Sequence, residues 1–221
     1  MNRGALRDYV RAVTDDATAP YRVTDVLLND FLNEGQTEAA IRGRLLFEEG
    51  ITISITSGTA DYALNSSVLG IYSAHTVTLA RQLDYVDADY MDRLYGAGWR
   101  AETGQPSKYL TNIETGMLQL YPIPEDDDTL RLRAWRLPTA MTDDADTPEI
   151  RAEHHQHLAD WAIWRSLSMR DADQYDPSLA QAHLTRFEAH FGRRPSALIQ
   201  HIQQTGGGKI RPQTHYRVGY R

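Results

Sequence analysis

The spacing of the apolar residues changes twice along the chain, and this change limits the fold class more than any other feature. Near the N-terminus, Leu6, Tyr9 and Val10 lie three and four residues apart, which predicts an amphipathic helix. In the segment 51–56, isoleucine alternates with small polar residues, which is typical of a half-buried strand. Helical spacing returns after residue 147. The sequence therefore predicts an α+β protein with helices at both ends and strands between them.

Each helix after the first is marked by a capping residue or by apolar residues at helical spacing. These predicted helices run from Thr24 to Phe47, from Pro148 to about Met169, from Pro177 onward, and over 196–204. Thr24 and Thr147 are the predicted caps, since their side chains can accept hydrogen bonds from free backbone N–H groups. Gly35 is expected to kink or divide its helix, because glycine costs about 1 kcal/mol in a helix interior. Gly50 is expected to close the N-terminal helical unit.

Strands are predicted where apolar and polar residues alternate between turn residues. The predicted strands span 51–56, 60–64, 69–72, 75–80, 108–114, 117–124 and 129–138. The first two are expected to pair as a hairpin, and the last three to be antiparallel. The acidic residues 125–128 would form a solvated turn between the final two strands. A short amphipathic insert at 86–99 would place Tyr90, Met91, Leu94 and Tyr95 on one face.

These elements predict four consecutive parts. Helices from 1–50 and 141–204 are expected to form one helical bundle. An antiparallel β domain, 51–140, is inserted between them. An extended C-terminal tail, 205–221, follows the second group of helices.

The charge is unevenly distributed. The tail has four basic residues and no acidic one, so the remaining 204 residues have 19 basic and 30 acidic residues and a net charge of −11. Such a surface repels nucleic-acid phosphates. There is no cysteine, and no apolar run reaches the roughly 18 residues that a membrane span needs. The N-terminus does not resemble a secretory signal. We expect a protein that is made and used without secretion and has no membrane partner.

The tail combines a flexible joint with the alternation of a strand. Three glycines precede a segment in which Tyr216, Val218 and Tyr220 alternate with arginine and glycine. Disordered tails are usually poor in such residues, and a strand without a partner can add to the sheet edge of another chain. The residues predicted to bind the portal or a neighbouring subunit are Gly206, Gly207, Gly208, Lys209, Ile210, Arg211, Tyr216, Arg217, Val218, Tyr220 and Arg221.

Two other functions are kept as alternatives. His154 and His157 have the i, i+3 spacing of zinc ligands on a helix, and Asp160 follows. A small metal-dependent enzyme using these three residues is the first alternative. However, no further ligand has a convincing spacing, so no metal, cofactor or catalytic residue is predicted. The second alternative is a nucleic-acid-binding module that uses the tail with Arg131 and Arg133, which lie on the basic face of the strand 129–138. It predicts affinity for DNA that falls steeply with salt.

Nine residues in a fixed order carry a family resemblance. They are Trp99, Gly104, Pro106, Tyr109, Pro122, Pro124, Pro138, Pro148 and His154. In this order, within a region of about residues 20–170, the chain resembles the head-to-tail adaptor (connector) proteins of tailed bacteriophages, which lie beneath the portal ring.

The resemblance implies a structural virion protein rather than an enzyme. It implies a homo-oligomeric ring of twelve subunits in the neck of the virion, between capsid and tail, and a location in the host cytoplasm during assembly. The implied partners are the portal protein and downstream tail or nozzle proteins. DNA would pass through the lumen without sequence-specific binding. C-terminal segments of such proteins would insert into or between portal subunits.

Overall fold

Helices lie at both ends of the chain and strands lie between them in a computed structural model, which describes residues 1–111, 113–169 and 175–199. The helices are α1 (Arg3–Val13), α2 (Asp25–Gly43), α3 (Ala88–Tyr95), α4 (His155–Leu167) and α5 (Pro177–Phe191). Two short 3-10 helices span Ala97–Ala101 and Ala152–His154. The α+β class predicted from the sequence is confirmed.

Side-chain caps fix the starts of several helices. The predicted cap Thr24 is confirmed, whereas the prediction for Thr147 is wrong, because no helix begins there. Thr24 accepts a hydrogen bond from the backbone N–H of Leu27 at the start of α2. Asp176 caps α5, whose first residue is Pro177. Proline is tolerated there because the first N–H groups of a helix have no partner within it.

Two predicted helix limits are wrong. The helix α2 ends at Gly43, where Arg44 adopts a left-handed conformation with φ of 47°. The chain then becomes extended, so Phe47 begins a strand and Gly50 lies inside it. The helix predicted from Pro148 begins only at His155, after the 3-10 turn.

The described residues form nine strands, numbered here in chain order. They are β1 (Phe47–Ile55), β2 (Asp61–Ala63), β3 (Val68–Thr76), β4 (Gln82–Tyr85), β5 (Thr103–Gly104), β6 (Lys108–Leu110), β7 (Met117–Tyr121), β8 (Ile123–Pro124) and β9 (Asp128–Arg136). Seven of them form a sheet with the order β1-β9-β3-β4-β6-β7-β2, and β5 pairs with β8 in a separate two-stranded sheet.

The strand pairing differs from the predicted pairing in three ways. The segment at Asp61–Ala63 pairs with β7 and does not form a hairpin with β1. The strand predicted at 69–72 and the start of the one predicted at 75–80 belong to one strand, β3, and residues 77–80 are not in a strand. The strands β7 and β9 are not neighbours, and the pairs β4–β6 and β5–β8 are parallel. Pro122 follows β7 directly, and proline cannot donate a ladder hydrogen bond.

The described chain divides into two compact units. The first comprises Met1–Ile51, Asn65–Leu69 and Leu132–Pro195. Within it, α1, α2, α4 and α5 share two buried clusters. One contains Leu6, Leu32 and Ile163, and the other contains Trp161 and Phe187. Burial of these apolar side chains is the main source of stability in this unit.

The second unit contains Thr52–Leu64 and Gly70–Arg131. Met91, Trp99, Leu110 and Tyr121 form its buried cluster. Of the four residues predicted to form one face of the insert, only Met91 is buried. The division of the chain at residues 50, 140 and 204 stays a prediction.

The strand β9 shows the predicted alternation. Leu130, Leu132 and Ala134 are fully buried, whereas Arg131 is exposed and Arg133 is half-buried. None of the helices in the described ranges combines the length and the apolar character that crossing a bilayer requires.

Candidate functional site

The residues predicted from the sequence to bind a partner, 206–221, lie outside the described residues. Their role therefore stays a prediction. The described residues include three other groups whose chemistry could support binding or catalysis. They are a histidine cluster, the arginines of β9, and a pocket with an acidic rim.

Three histidines cluster where the 3-10 helix Ala152–His154 and α4 meet α5. Nδ1 of His154 lies 2.8 Å from Nε2 of His190, and the rings of His157 and His190 stack with their centroids 3.7 Å apart. Burial lowers the pKa of His190, and the positive charges that His157 and His154 can carry lower it further. The arrangement therefore favours the neutral form of His190.

Asp160, the carboxylate near this cluster, lies nearer to His183, which is outside the cluster, than to His157. Oδ1 of Asp160 lies 2.7 Å from Nδ1 of His183, and its Oδ2 lies 3.5 Å from Nδ1 of His157. The described residues include no group of three or more histidine, cysteine, aspartate or glutamate residues that could hold a metal ion. The geometry gives no support to a metal-dependent enzyme that uses His154, His157 and Asp160.

The basic face of β9 is partly neutralised within the first unit. Nε of Arg133 lies 3.5 Å from Oε2 of Glu49, and its guanidinium lies 5.5 Å from the ring centroid of Phe47. A face that already holds an acidic partner is less suited to phosphate binding.

A pocket of about 200 Å³ lies in the second unit. We call it the acidic pocket. Its apolar lining comes from Ile55, Leu79, Pro106 and Pro124, and its polar side comes from Thr76, Thr78 and the acidic residues 125–128. Apolar walls with a few convergent polar groups are typical of binding sites.

The short sheet formed by β5 and β8 shapes one wall of the acidic pocket. Gly104 pairs in parallel with Pro124. Gly104 has a φ of +155° and lies close to Pro122, whose Cβ would be 3.6 Å from an added Cβ. A residue with a side chain rarely adopts this conformation. The backbone conformation therefore favours glycine at 104, whereas a Cβ atom there would make only an ordinary van der Waals contact with Pro122.

Hydrogen bonds hold the acidic rim in place. Oδ1 of Asp127 accepts from the backbone N–H of Ser57 at 2.8 Å. Oε1 of Glu125 accepts from the hydroxyl of Thr103 at 2.9 Å. Oδ1 of Asp128 accepts from the backbone N–H of Thr78 at 2.8 Å. Each bond uses one carboxylate oxygen and leaves the second one for another partner.

The negative charge of the rim is not neutralised by the described residues. None of the four acidic residues 125–128 forms an ion pair with a basic side chain in the described ranges. Oδ2 of Asp128 is buried and has no hydrogen-bond partner there. Burial raises the pKa of Asp128, but the hydrogen bonds from Thr78 and Thr129 outweigh burial and lower it below its ordinary value. A buried, ionised oxygen of this kind favours a cationic hydrogen-bond donor.

The acidic pocket was not predicted from the sequence. The acidic residues 125–128 were expected at a solvated turn, whereas the backbone N–H of Ser57, about 70 positions earlier, donates a hydrogen bond to Asp127. Strand alternation does not reveal which distant segments meet. The only local sign was the group of glycine and proline residues at 104, 106 and 124, which now proves to line the pocket.

The family model of the SU10 adaptor protein matches residues 1–212. The chain belongs to this family of phage head-to-tail adaptors. No curated protein matches it. The resemblance recognised in the sequence is thereby confirmed, although the match is longer than the region about 20–170 that carried it.

Membership of the SU10 adaptor family makes the chain a virion component that assembles with other phage structural proteins. The family is structural rather than enzymatic. Three of the nine residues that carried the resemblance, Gly104, Pro106 and Pro124, line the acidic pocket. A fourth, Trp99, is buried beside Tyr121 with their ring centroids 5.7 Å apart.

Proposed function

We propose that this adaptor forms a ring of twelve subunits beneath the portal, joins the capsid to the tail, and lets DNA pass through its lumen. The match of the adaptor family to residues 1–212 is the observation that carries the proposal. In the proposed ring, each subunit consists of a helical bundle, built from helices at both ends of the chain, and an inserted β domain. The protein lies in the virion neck, beside the portal and the downstream tail or nozzle proteins.

The charge of the chain supports the passage of DNA. The residues before the tail carry a net charge of −11, and twelve copies place many negative charges around one channel. Salt screens these charges beyond about 8–10 Å, so repulsion acts only on DNA close to the wall. Such a surface lets DNA slide without binding it.

Exposed apolar side chains support assembly with other chains. In α3, Tyr90 and Leu94 lie one helical turn apart and are 49% and 55% exposed, and the adjacent Tyr95 is 47% exposed. A group of large apolar side chains in solvent is typical of a surface that binds protein.

The tail completes the proposed assembly. Its glycines provide a joint, and its alternating residues 216–221 provide a strand for the portal or for a neighbouring subunit. The basic residues of the tail suit an acidic receptor surface.

Negative-stain images of the protein alone and mixed with portal-bearing capsids test the proposal. We expect a ring-shaped density at the portal vertex only after mixing with the adaptor. Capsids that keep a bare portal vertex at saturating adaptor would contradict it.

Deletion of residues 206–221 tests the role of the tail. The circular dichroism spectrum is expected to stay that of a folded protein, while attachment to portal-bearing capsids is lost. A full-length variant with a scrambled 209–221 segment is the matched control for composition. It should also fail to attach, because alternation is lost although charge is kept. Normal attachment of the deletion variant would show that the tail is not the docking element.

A further inference from the structure

We propose that the acidic pocket binds residues 209–221 of a neighbouring copy of the same chain. This inference rests on the proposed assembly into a ring and goes further, because it assigns the receptor for the tail. The interaction would join adjacent subunits through a small anchored segment.

Charge complementarity is the first argument. The rim presents four consecutive acidic residues without a basic partner in the described ranges. The segment 209–221 contains Lys209, Arg211, Arg217 and Arg221 and no acidic residue. Guanidinium groups present several hydrogen-bond donors and match carboxylates well. Such a group would give the buried Oδ2 atom of Asp128 the hydrogen-bond donor that the described residues do not provide.

The size and lining of the pocket are the second argument. Pockets for small molecules usually have volumes of about 300–1,000 Å³, whereas the acidic pocket has about 200 Å³. This volume suits a single anchored side chain rather than a whole ligand. Ile55, Leu79 and two prolines provide apolar walls. A tyrosine suits them, because its ring packs on apolar groups while its hydroxyl stays at the polar side.

The length of the chain allows the contact. Ten peptide units separate Ile199 from Lys209. With the predicted helix continuing to residue 204, five of them rise about 1.5 Å each and the other five cover about 3.3–3.6 Å each, which gives a reach of about 25 Å. The three glycines within this stretch provide the freedom to turn towards an adjacent subunit.

Disulfide trapping between full-length chains tests the inference, and the absence of native cysteine makes the background clean. One protein carries Leu79→Cys at the pocket, and the other carries Tyr220→Cys in the tail. They are mixed and oxidised, both free in solution and on portal-bearing capsids. We expect a cross-linked pair of two chains in at least one of these states, identified by mass spectrometry.

Glu114→Cys is the matched control for the pocket cysteine. Glu114 is exposed in the same unit and does not line the acidic pocket. Its cross-linking with Tyr220→Cys should be weak. Equal yields at Leu79 and Glu114, or no cross-link at Leu79 in either state, would overturn the inference.

A charge reversal at the rim distinguishes specific binding of the tail from cross-links that form by random collision. Asp126 is the acidic residue of the rim for which the structure shows no hydrogen bond, so Asp126→Lys leaves the bonds to Ser57, Thr103 and Thr78 in place. The Leu79–Tyr220 cross-link should fall by roughly tenfold, because attraction is replaced by repulsion. An unchanged yield would contradict the charge argument and the inference with it. Circular dichroism confirms that each variant is folded.

The two proposals fail in different ways. If wild-type protein attaches to portal-bearing capsids but the Leu79–Tyr220 cross-link is absent, the ring function stands and the assigned receptor is wrong. If wild-type protein does not attach to capsids, the ring function is wrong. Trapping of the tail cysteine by the portal protein instead of a second adaptor chain also overturns the inference.

Discussion

Arg11 and Asp16 form an ion pair in which both side chains are almost completely buried, with Nη1 of Arg11 2.7 Å from Oδ2 of Asp16. Asp16 also accepts hydrogen bonds from the backbone N–H groups of Arg22 and Val23. Arg11 in turn donates to the carbonyl oxygen of Val23. The pair therefore holds the connection between α1 and α2 against the end of α1.

Removal of the buried carboxylate is expected to destabilise the protein strongly. Among the described residues, the change Asp16→Ala leaves the buried Arg11 with Asp25 as its one acidic partner, at 2.5 Å. It also leaves the N–H groups of Arg22 and Val23 without the carboxylate that accepts from them. We expect a loss of about 3 kcal/mol in the free energy of unfolding, measured by urea denaturation. Asp8→Ala on the exposed side of α1 is the control and should change it by less than about 0.5 kcal/mol. Similar losses in the two variants would contradict this account.

Gly35 lies where α2 packs closely against α4. A Cβ atom added there would lie 3.1 Å from Cβ of Trp161 and 3.2 Å from the carbonyl oxygen of Leu158. The backbone of α4 cannot move aside without opening the buried cluster around Trp161. The helix is continuous through Gly35, so the glycine does not divide it and instead allows close packing.

The change Gly35→Val should therefore destabilise the protein. We expect a loss of about 1–3 kcal/mol in the free energy of unfolding, because overpacking forces the two helices apart. Gly98→Val is a useful control, since a Cβ at residue 98 meets no atom within 4 Å. If Gly35→Val were as stable as Gly98→Val, the spacing of α2 and α4 would be looser than the structure indicates.

Local chemistry made the starts of α2 and α5 predictable from the sequence. Thr24 and Asp176 cap helices through hydrogen bonds to residues only two or three positions away. Strand partners could not be predicted in this way, because alternation shows that Asp61–Ala63 is a strand but not that β7, more than 50 residues later, is its neighbour. The acidic pocket was missed for the same reason, since contacts between distant segments create it.

The histidine cluster predicts a loss of stability in mild acid. The pKa of His190 in the folded protein is lowered from 6.5 by burial and then by His157 and His154; Asp160 and Glu153 oppose this shift without cancelling it. The unfolded chain therefore binds a proton more readily than the folded one. Stability is complete above about pH 6.5 and falls as the pH drops below it.

Thermal unfolding followed between about pH 8 and pH 5 measures this effect. The midpoint of the wild-type protein should fall as the pH drops below 6.5. His190→Gln should reduce the fall, because one of the three interacting imidazoles is removed. His75→Gln, in β3, is the control and should keep the wild-type pH dependence. A wild-type profile that His190→Gln leaves unchanged would show that the cluster does not cause it.

Asp144 provides the opposite case, an acid whose ionised form stabilises the fold. Oδ2 of Asp144 lies 2.7 Å from Nη2 of Arg7, and its Oδ1 lies 2.8 Å from Nη2 of Arg3. These hydrogen bonds, first that of Arg7 and then that of Arg3, lower the pKa of Asp144 from 3.8 to about 2. Because the folded pKa is the lower one, the stabilisation is complete above about pH 3.8 and is lost as the pH falls towards 2.

The change Asp144→Asn should therefore lower the thermal midpoint near neutral pH, and the difference from wild type should shrink as the pH drops through this range. Asp143→Asn is the matched control, because the structure shows no ion pair for Asp143 in the described ranges. It should leave the midpoint almost unchanged at every pH. A difference between wild type and Asp144→Asn that stayed undiminished down to pH 2 would have to come from packing rather than from the charge of the carboxylate. In that case Asp144 would not be the acid that secures α1 to the loop at 141–146.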